Sequence, residues 1–85
     1  MEWEPAIKEK FEQMIAKVPV FMRELAKNAV ARKAEECAVK AGRTEVNEKD
    51  MVDGFFAATP FGFHGPMKND MKELGIDYTQ YGHDK

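Results

Sequence analysis

Apolar residues in the first part of the chain recur at helical spacing. Successive gaps of four, four, three and four residues place one set on a single helix face: Trp3, Ile7, Phe11, Met14 and Val18. Pro5 suits the first turn of this helix, where a missing N–H would have no intrahelical partner. The pattern therefore predicts an amphipathic first helix that buries Trp3 and Phe11.

Pro19 interrupts the apolar run that follows this helix. Proline disfavours the helical conformation of the residue before it and suits the first turn of a new helix, so we interpret Pro19 as a joint between two helices. The second helix is predicted from Val20 to about Ala41, or roughly 30 Å by helical rise. Its expected apolar stripe consists of Met22, Leu25, Ala29 or Val30, Ala34, Cys37 and Ala41.

The next segment contains the signals that end one helix and begin another. Gly42 is expected to end the second helix in a left-handed conformation, and residues 43–46 have extended character. Asn47, followed by two acidic residues, is typical of an N-cap. The third helix should present one apolar side, made of Met51, Val52, Phe55 and Phe56.

Composition changes after Ala58. Residues 59–66 are predicted to be a loop because they hold two glycines and two prolines. Pro66 can open a short fourth helix, with Met67, Met71 and Leu74 inward and Gly75 at its end, before an irregular, frayed tail. The prediction is an all-α fold. Residues 1–58 should form a short-long-short three-helix domain, which could adopt a histone-like arrangement. Residues 59–85 should form a loop, a short helix and a tail that pack on this domain.

Composition and charge indicate an ordinary globular domain. The chain is 44% hydrophobic and 33% charged, and no apolar run approaches the roughly 18 residues that span a bilayer. With one cysteine and no recognisable signal sequence, the predicted location is cytoplasmic, without a membrane partner. Net charge is −2, yet residues 19–43 hold six basic and three acidic residues. Acidic side chains interrupt this basic segment, so nucleic acid is an unlikely partner.

Arg23 and Lys27 are the first candidates for binding chemistry. They lie four residues apart at the start of the second helix, so they can face the same way and hold a carboxylate or a phosphate. The alternative is a structural role, in which Arg23 pairs with Glu12 or Glu24, or both cations simply face solvent.

The glycine-rich loop supplies the other candidates. His64 can titrate near neutral pH, but no nucleophile or carboxylate pair accompanies it, so we predict no catalytic residues and no enzyme activity for the chain on its own. Cys37, His64 and His83 lack metal-binding spacing, so no metal and no cofactor are expected. Phe61 and Phe63 could contact a protein partner or a planar ligand. Small size without disulfides favours self-association, as a homodimer, in which the tail covers its own core or that of the partner copy.

One family resemblance joins several of these features. Trp3, Phe11 and the string Pro19-x-Phe21-Met22-Arg23, followed by Ala34, Gly42 and a capped third helix, resemble the small carboxyl-terminal domain of the light-independent protochlorophyllide reductase B subunit. The resemblance covers residues 3–56, although the chain is about four residues longer between Ala34 and Gly42 than that pattern. The resemblance implies a structural role for Trp3, Phe11, Pro19, Phe21 and Met22. It also implies that the chain is a non-catalytic accessory module or, alternatively, a small subunit that forms a lid in tetrapyrrole reduction.

A second likeness concerns the end of the long helix. Residues 40–51 look like the corresponding region of archaeal histones, where a long helix ends in an Ala-Gly-Arg turn before a capped third helix. This likeness implies a histone-like DNA-binding protein as a further alternative. The negative net charge and the segment around Pro19 suit it poorly.

Overall fold

The computed structural model describes residues 1–83 and confirms the all-α class. Its helices and strands are β1 (Glu2–Trp3), α1 (Pro5–Ala16), α2 (Arg23–Lys40), β2 (Glu45–Val46), α3 (Glu48–Ala58) and α4 (His64–Glu73). Three short 3₁₀ turns lie at Val20–Met22, Phe61–Phe63 and Tyr78–Tyr81. The predicted helix order is therefore correct, and Pro19 does separate α1 from α2.

Trp3 lies in a strand, so the prediction that it belongs to the first helix was wrong. Glu4 precedes Pro5 and has the extended conformation (φ −57°, ψ 132°) that proline favours for its neighbour, so the helix begins only at Pro5. Trp3 pairs with Val46 in a two-stranded parallel sheet. Its ring centroid lies 4.7 Å from that of Phe11, so Trp3 still packs on the core.

One main hydrophobic core joins α1, α3, α4 and the tail. Its buried members include Ile7, Phe11, Met14, Ile15, Val30, Met51, Val52, Phe55, Met67, Met71, Ile76 and Tyr78. The Phe11 and Phe55 rings, 5.9 Å apart, connect α1 to α3 at its centre. Residues on both sides of Ala58 contribute to this core.

Helix α2 buries a narrower and different stripe from the predicted one. Val30, Ala34 and Ala38 are buried at spacings of four, whereas Leu25 is exposed. The reason is the close approach of α3, which presents Gly54 to this stripe. A Cβ atom added at Gly54 would lie 2.9 Å from the Ala34 nitrogen and 3.0 Å from the Val30 oxygen, so only small residues fit between the two helices.

The turn between α2 and α3 is held by a buried acidic residue. Gly42 has the expected positive φ of 77°, and Asn47 is the N-cap of α3 as predicted. Asp50, only 2% exposed, accepts a 3.0 Å bond from the Asn47 backbone N–H and donates its own N–H to the Asn47 side chain, also at 3.0 Å. Arg43 pairs with the other carboxylate oxygen of Asp50. These bonds hold the turn from which α3 runs back antiparallel to α2.

The tail is more ordered than predicted up to His83. Gly75, with φ 73°, ends α4 as expected, but Ile76 and Tyr78 then return to the core. Tyr81 donates a 2.7 Å hydrogen bond from its hydroxyl to Glu48. The segment after α4 was predicted to be irregular, whereas Tyr78–Tyr81 form a 3₁₀ turn that buried side chains and this bond hold in place. The predicted fraying concerned the end of the chain, and residues 84–85 lie outside the described part.

Candidate functional site

Two proline turns in the fold have nearly the same backbone geometry. Pro19 (φ −51°, ψ 139°) and Pro60 (φ −56°, ψ 143°) each precede a three-residue 3₁₀ turn that runs directly into a helix. In each turn the third residue donates its N–H to the proline carbonyl, Met22 to Pro19 and Phe63 to Pro60, both at 2.9 Å. The restricted φ of proline therefore starts α2 and α4 in the same way.

A polar side chain locks each turn to the end of the preceding helix. Arg23 donates from Nε to the Val18 carbonyl and from Nη2 to the Ala16 carbonyl, both at 2.7 Å. His64 Nε2 lies 2.9 Å from the Thr59 carbonyl; because a carbonyl only accepts, Nε2 is the donor. Each side chain reaches back five residues to a backbone oxygen left unpaired near a helix end. Both turns are thus held rigidly.

The side chains on these turns project into solvent. Phe21 is 86% exposed and Phe61 is 87% exposed, so each ring touches little of its own chain. We call the exposed apolar group on and beside the two turns the twin-turn face; it consists of Val20, Phe21, Met22, Leu25, Phe61 and Phe63. From about 150–250 Å² per aromatic side chain, its three phenylalanines together expose on the order of 350–600 Å² over the two turns.

The antiparallel packing of α2 and α3 brings the two turns to one end of the molecule. Val46, just before α3, packs with Ala38 near the end of α2, whereas Gly54 meets Val30 and Ala34 one to two turns earlier in α2. As α3 advances, its contacts move toward the start of α2. The turn that follows α3 therefore lies at the same end as the turn that precedes α2.

A shallow depression of about 310 Å³ lies between α1 and α2 beside the first turn. Its lining residues are Phe11, Glu12, Ile15, Ala16, Arg23 and Lys27. Apolar side chains from α1 form part of its floor, since Phe11 and Ile15 are buried in the core. Arg23 and Lys27, predicted from their spacing to face the same way, do line this one depression.

The remaining predicted residues divide between the core and the surface. Phe11 is buried and Trp3 is half-buried against it, while Phe21 is exposed and Met22 is largely so. The apolar side chains of the predicted motif that precede Pro19 therefore face the core, whereas those that follow it face solvent. Met22 and Phe21 contribute to the twin-turn face rather than to a helix–helix contact.

His64 also belongs to a group of rings around Phe56. The His64 ring meets Phe56 edge-on with centroids 5.0 Å apart, and Phe61 lies 5.5 Å from His64. The His83 ring stacks on the same phenylalanine at 4.1 Å with an interplanar angle of 2°. Asp53 accepts a 2.6 Å contact from His83 Nε2. These contacts give both histidines structural partners.

Other titratable groups near the helices are also paired or shielded. Lys17 donates to Glu73 at 2.5 Å, and this bond raises the lysine pKa. Lys49 donates to Asp53 at 2.8 Å, which raises its pKa in the same way. Burial raises the pKa of the Cys37 thiol, with nearby carboxylates adding to the effect. Cys37 is therefore a poor nucleophile at neutral pH.

Within residues 1–83, no group of three or more His, Cys, Asp or Glu side chains has the geometry to hold a metal ion. In the same part of the chain, none of the helices combines the length and the apolar character that crossing a bilayer requires.

Sequence reasoning missed the twin-turn face, although the sequence contains a signal for it. The segments Pro19-Val-Phe-Met-Arg23 and Pro60-Phe-Gly-Phe-His64 share a proline, aromatic or aliphatic residues and a side-chain donor at the fifth position. Their likeness becomes meaningful only once both are seen to form the same turn. Treating the second segment as an ordinary loop hid the correspondence.

Comparison with known proteins adds a relative and a family. The chain is 29% identical over 79 residues to "Membrane protein YneK" of Bacillus subtilis (strain 168). The matched region is 93% of this chain and 56% of that relative, so the chain spans little more than half of the relative's length. No solved structure shows significant similarity.

These findings correct the family predicted from sequence. The matched family is described as "Protein of unknown function (DUF2621)", and neither this description nor the name of the Bacillus relative points to a protochlorophyllide reductase or a histone. The predicted accessory role in that reductase, the tetrapyrrole lid and the histone-like function were therefore wrong. A proline joint, a glycine helix end and an N-cap arise wherever helices meet, so they do not distinguish families. Since the family model matches residues 1–84, the chain belongs to the DUF2621 family.

Proposed function

We propose that this chain is a non-catalytic domain that docks on a membrane surface through the twin-turn face. The observation that carries the proposal is the cluster of exposed apolar side chains on two equally built turns at one end of the fold. Exposed apolar side chains that gather at one end of a molecule are typical of protein-binding or membrane-binding surfaces.

The shape of the face favours a bilayer over a flat protein partner. Because Phe21 and Phe61 are 86% and 87% exposed, their rings project outward instead of lying along the surface. A projecting ring needs a matching pocket on a protein, whereas the acyl region of a bilayer rearranges around it. Full burial of one phenylalanine side chain is worth about 1.5–3 kcal/mol.

The Bacillus relative supports the same assignment through its name, "Membrane protein YneK". The sequence-based expectation was that the chain has no membrane partner, and this proposal differs from it. Docking on a membrane surface does not require an apolar run long enough to span a bilayer. The single cysteine fits a reducing compartment, and we place the docked domain on the cytoplasmic face of the membrane.

Vesicle flotation tests the proposal. The full chain is mixed with phosphatidylcholine vesicles, and the double variant Phe21→Ser, Phe61→Ser is compared with Val39→Ser. Val39 is a matched control because it is also apolar and 62% exposed, but it lies near the other end of α2. We expect the double variant to bind at least about tenfold more weakly, because two projecting rings are lost. Equal binding by all three proteins would reject the proposal.

Self-association through the same face is a second candidate. Its supporting observation is area, since the phenylalanines expose on the order of 350–600 Å² and a standard interface buries about 800 Å² per partner. Sedimentation equilibrium of the full chain separates the two candidates. A mass near 9.7 kDa at high protein concentration would reject the homodimer, whereas a dimer lost in the Phe21→Ser, Phe61→Ser variant would support it.

A further inference from the structure

We propose that the depression between α1 and α2 binds the phosphate group of an anionic lipid and thereby makes docking selective for negatively charged membranes. This inference rests on the proposed docking of the twin-turn face. It assigns Lys27 a role that neither the fold nor the docking itself requires, and it assigns Arg23 a role beyond the hydrogen bonds that hold the first turn.

The depression lies where lipid headgroups would meet a docked domain. Arg23 directly follows the first turn, two residues after Phe21, and Lys27 follows one helical turn later. At a rise of about 1.5 Å per residue, Lys27 is roughly 9 Å from Phe21 along the chain axis. Interfacial apolar groups penetrate about 5–10 Å below the headgroup boundary. Arg23 and Lys27 therefore lie within about 10 Å of an inserted Phe21 along the chain, close enough for their long side chains to reach the headgroup region.

The charge of the depression complements an anion. Its lining contains two cations, Arg23 and Lys27, and one carboxylate, Glu12. The hydrogen bonds of Arg23 to two backbone carbonyls fix its guanidinium at the edge of the depression without neutralising its charge. Carbonyl oxygens are neutral acceptors, so the guanidinium can still attract a phosphate.

The nearby cations are not equivalent. Lys17 is paired with Glu73 at 2.5 Å and lies 3.9 Å from Asp70, so its charge is already compensated. By contrast, the Lys27 side chain has no hydrogen bond or ion pair to any of residues 1–83. Lys27 is thus the cation best able to exchange water for a lipid phosphate.

The floor of the depression suits the part of a lipid next to its phosphate. Ile15 and Phe11 line the depression together with the two cations, so apolar and charged groups lie side by side in it. A lipid presents the same combination of groups, with a phosphate beside acyl chains. A free inorganic anion would use only the cations, which is why we assign the site to a lipid.

The experiment compares two vesicle types and two charge variants of the full chain. Binding is measured to phosphatidylcholine vesicles and to vesicles of phosphatidylcholine mixed with phosphatidylglycerol. Lys27→Gln tests the depression, and Lys40→Gln is the matched control, since it removes the same charge from the last turn of the same helix. Circular dichroism checks that both variants fold.

We expect the unmodified chain to prefer the anionic vesicles. Lys27→Gln should lower binding to anionic vesicles about fivefold, with binding to neutral vesicles unchanged, whereas Lys40→Gln should change it less than twofold. Equal binding of the unmodified chain to both vesicle types would overturn this inference and leave docking intact. Equal losses in the two variants would also overturn it, because net charge would then set the preference. No binding to either vesicle would reject the proposed function itself.

Discussion

Replacing Gly54 by alanine tests the packing that brings the two turns together. Gly54 lies within α3, where alanine is ordinarily favoured over glycine by about 0.8–1 kcal/mol in helix propensity. Propensity alone therefore predicts that Gly54→Ala stabilises the fold. The contact with α2 predicts the opposite.

The size of the opposing effect follows from the distances. An added Cβ would lie 2.9 Å from the Ala34 nitrogen, 3.0 Å from the Val30 oxygen and 3.1 Å from the Ala34 Cα. Comfortable contacts between heavy atoms are about 3.5–4.0 Å, so the two helices must separate by roughly half an ångström or more. All three atoms belong to backbone, which cannot rotate away as a side chain could. Overpacking of this kind costs about 1–3 kcal/mol.

We therefore expect Gly54→Ala to lower the free energy of unfolding by up to about 2 kcal/mol after the propensity gain is subtracted. Gly65→Ala is the matched control, since Gly65 also lies in a helix, α4, and a Cβ there meets no atom within 4 Å. That control should leave stability unchanged or raise it by up to about 1 kcal/mol.

Urea unfolding followed by circular dichroism and by Trp3 fluorescence measures both variants. Trp3 reports on the core because it packs on Phe11. Equal slopes against urea would show that the changes concern stability and not the compactness of either state. If Gly54→Ala proves as stable as Gly65→Ala, the two helices are not packed at the separation described above, and the placement of both turns at one end loses its basis.

Three further predictions concern the side chains of Arg23, Tyr81 and Cys37. Arg23→Gln should lower the free energy of unfolding by about 1–2 kcal/mol in urea titrations, because two backbone carbonyls lose a charged donor. The control Arg32→Gln, on exposed surface, should change it by no more than about 0.5 kcal/mol. Equal effects of the two substitutions would show that the Arg23 hydrogen bonds do not stabilise the turn. Burial and the bond to Glu48 raise the pKa of Tyr81, so the stability that its hydroxyl contributes is present below about pH 10 and is lost as pH rises further. Tyr81→Phe should therefore be less stable than the unmodified chain at neutral pH and should lose less stability above pH 10. Parallel profiles of stability against pH for the two proteins would contradict this. Cys37 should react more slowly with a thiol reagent at about pH 8 in the folded chain than in urea, since burial raises its pKa, and equal rates would show that the thiol is not shielded.

The elements predicted from sequence were those with local causes. Pro19, Gly42, Asn47 and Gly75 act on their own backbone or on residues within one helical turn, so their effects can be derived from short stretches of chain. The spacing of Ile7 and its neighbours likewise reports a helix face directly. Family membership could not be derived in this way, because the same local solutions occur in unrelated helical proteins.

The candidate site was predicted only in part, for a physical reason. Arg23 and Lys27 were identified because residues four apart on a helix share a face, and the structure places both in one depression. Phe21, in contrast, was predicted to have a structural role, yet it is 86% exposed. Whether an apolar residue turns inward or outward depends on which helix arrives beside it, and no local pattern contains that information.

The sequence by itself determined the order of the helices, the joint at Pro19, the N-cap at Asn47, and that the helices must bury apolar faces. Only the tertiary structure decided that Gly54 would meet Ala34, that α3 would return along α2, and that two distant proline turns would therefore share one end of the molecule. The physical reason is range. Backbone restrictions act within a few residues, whereas the choice of packing partners depends on contacts among side chains far apart in the chain.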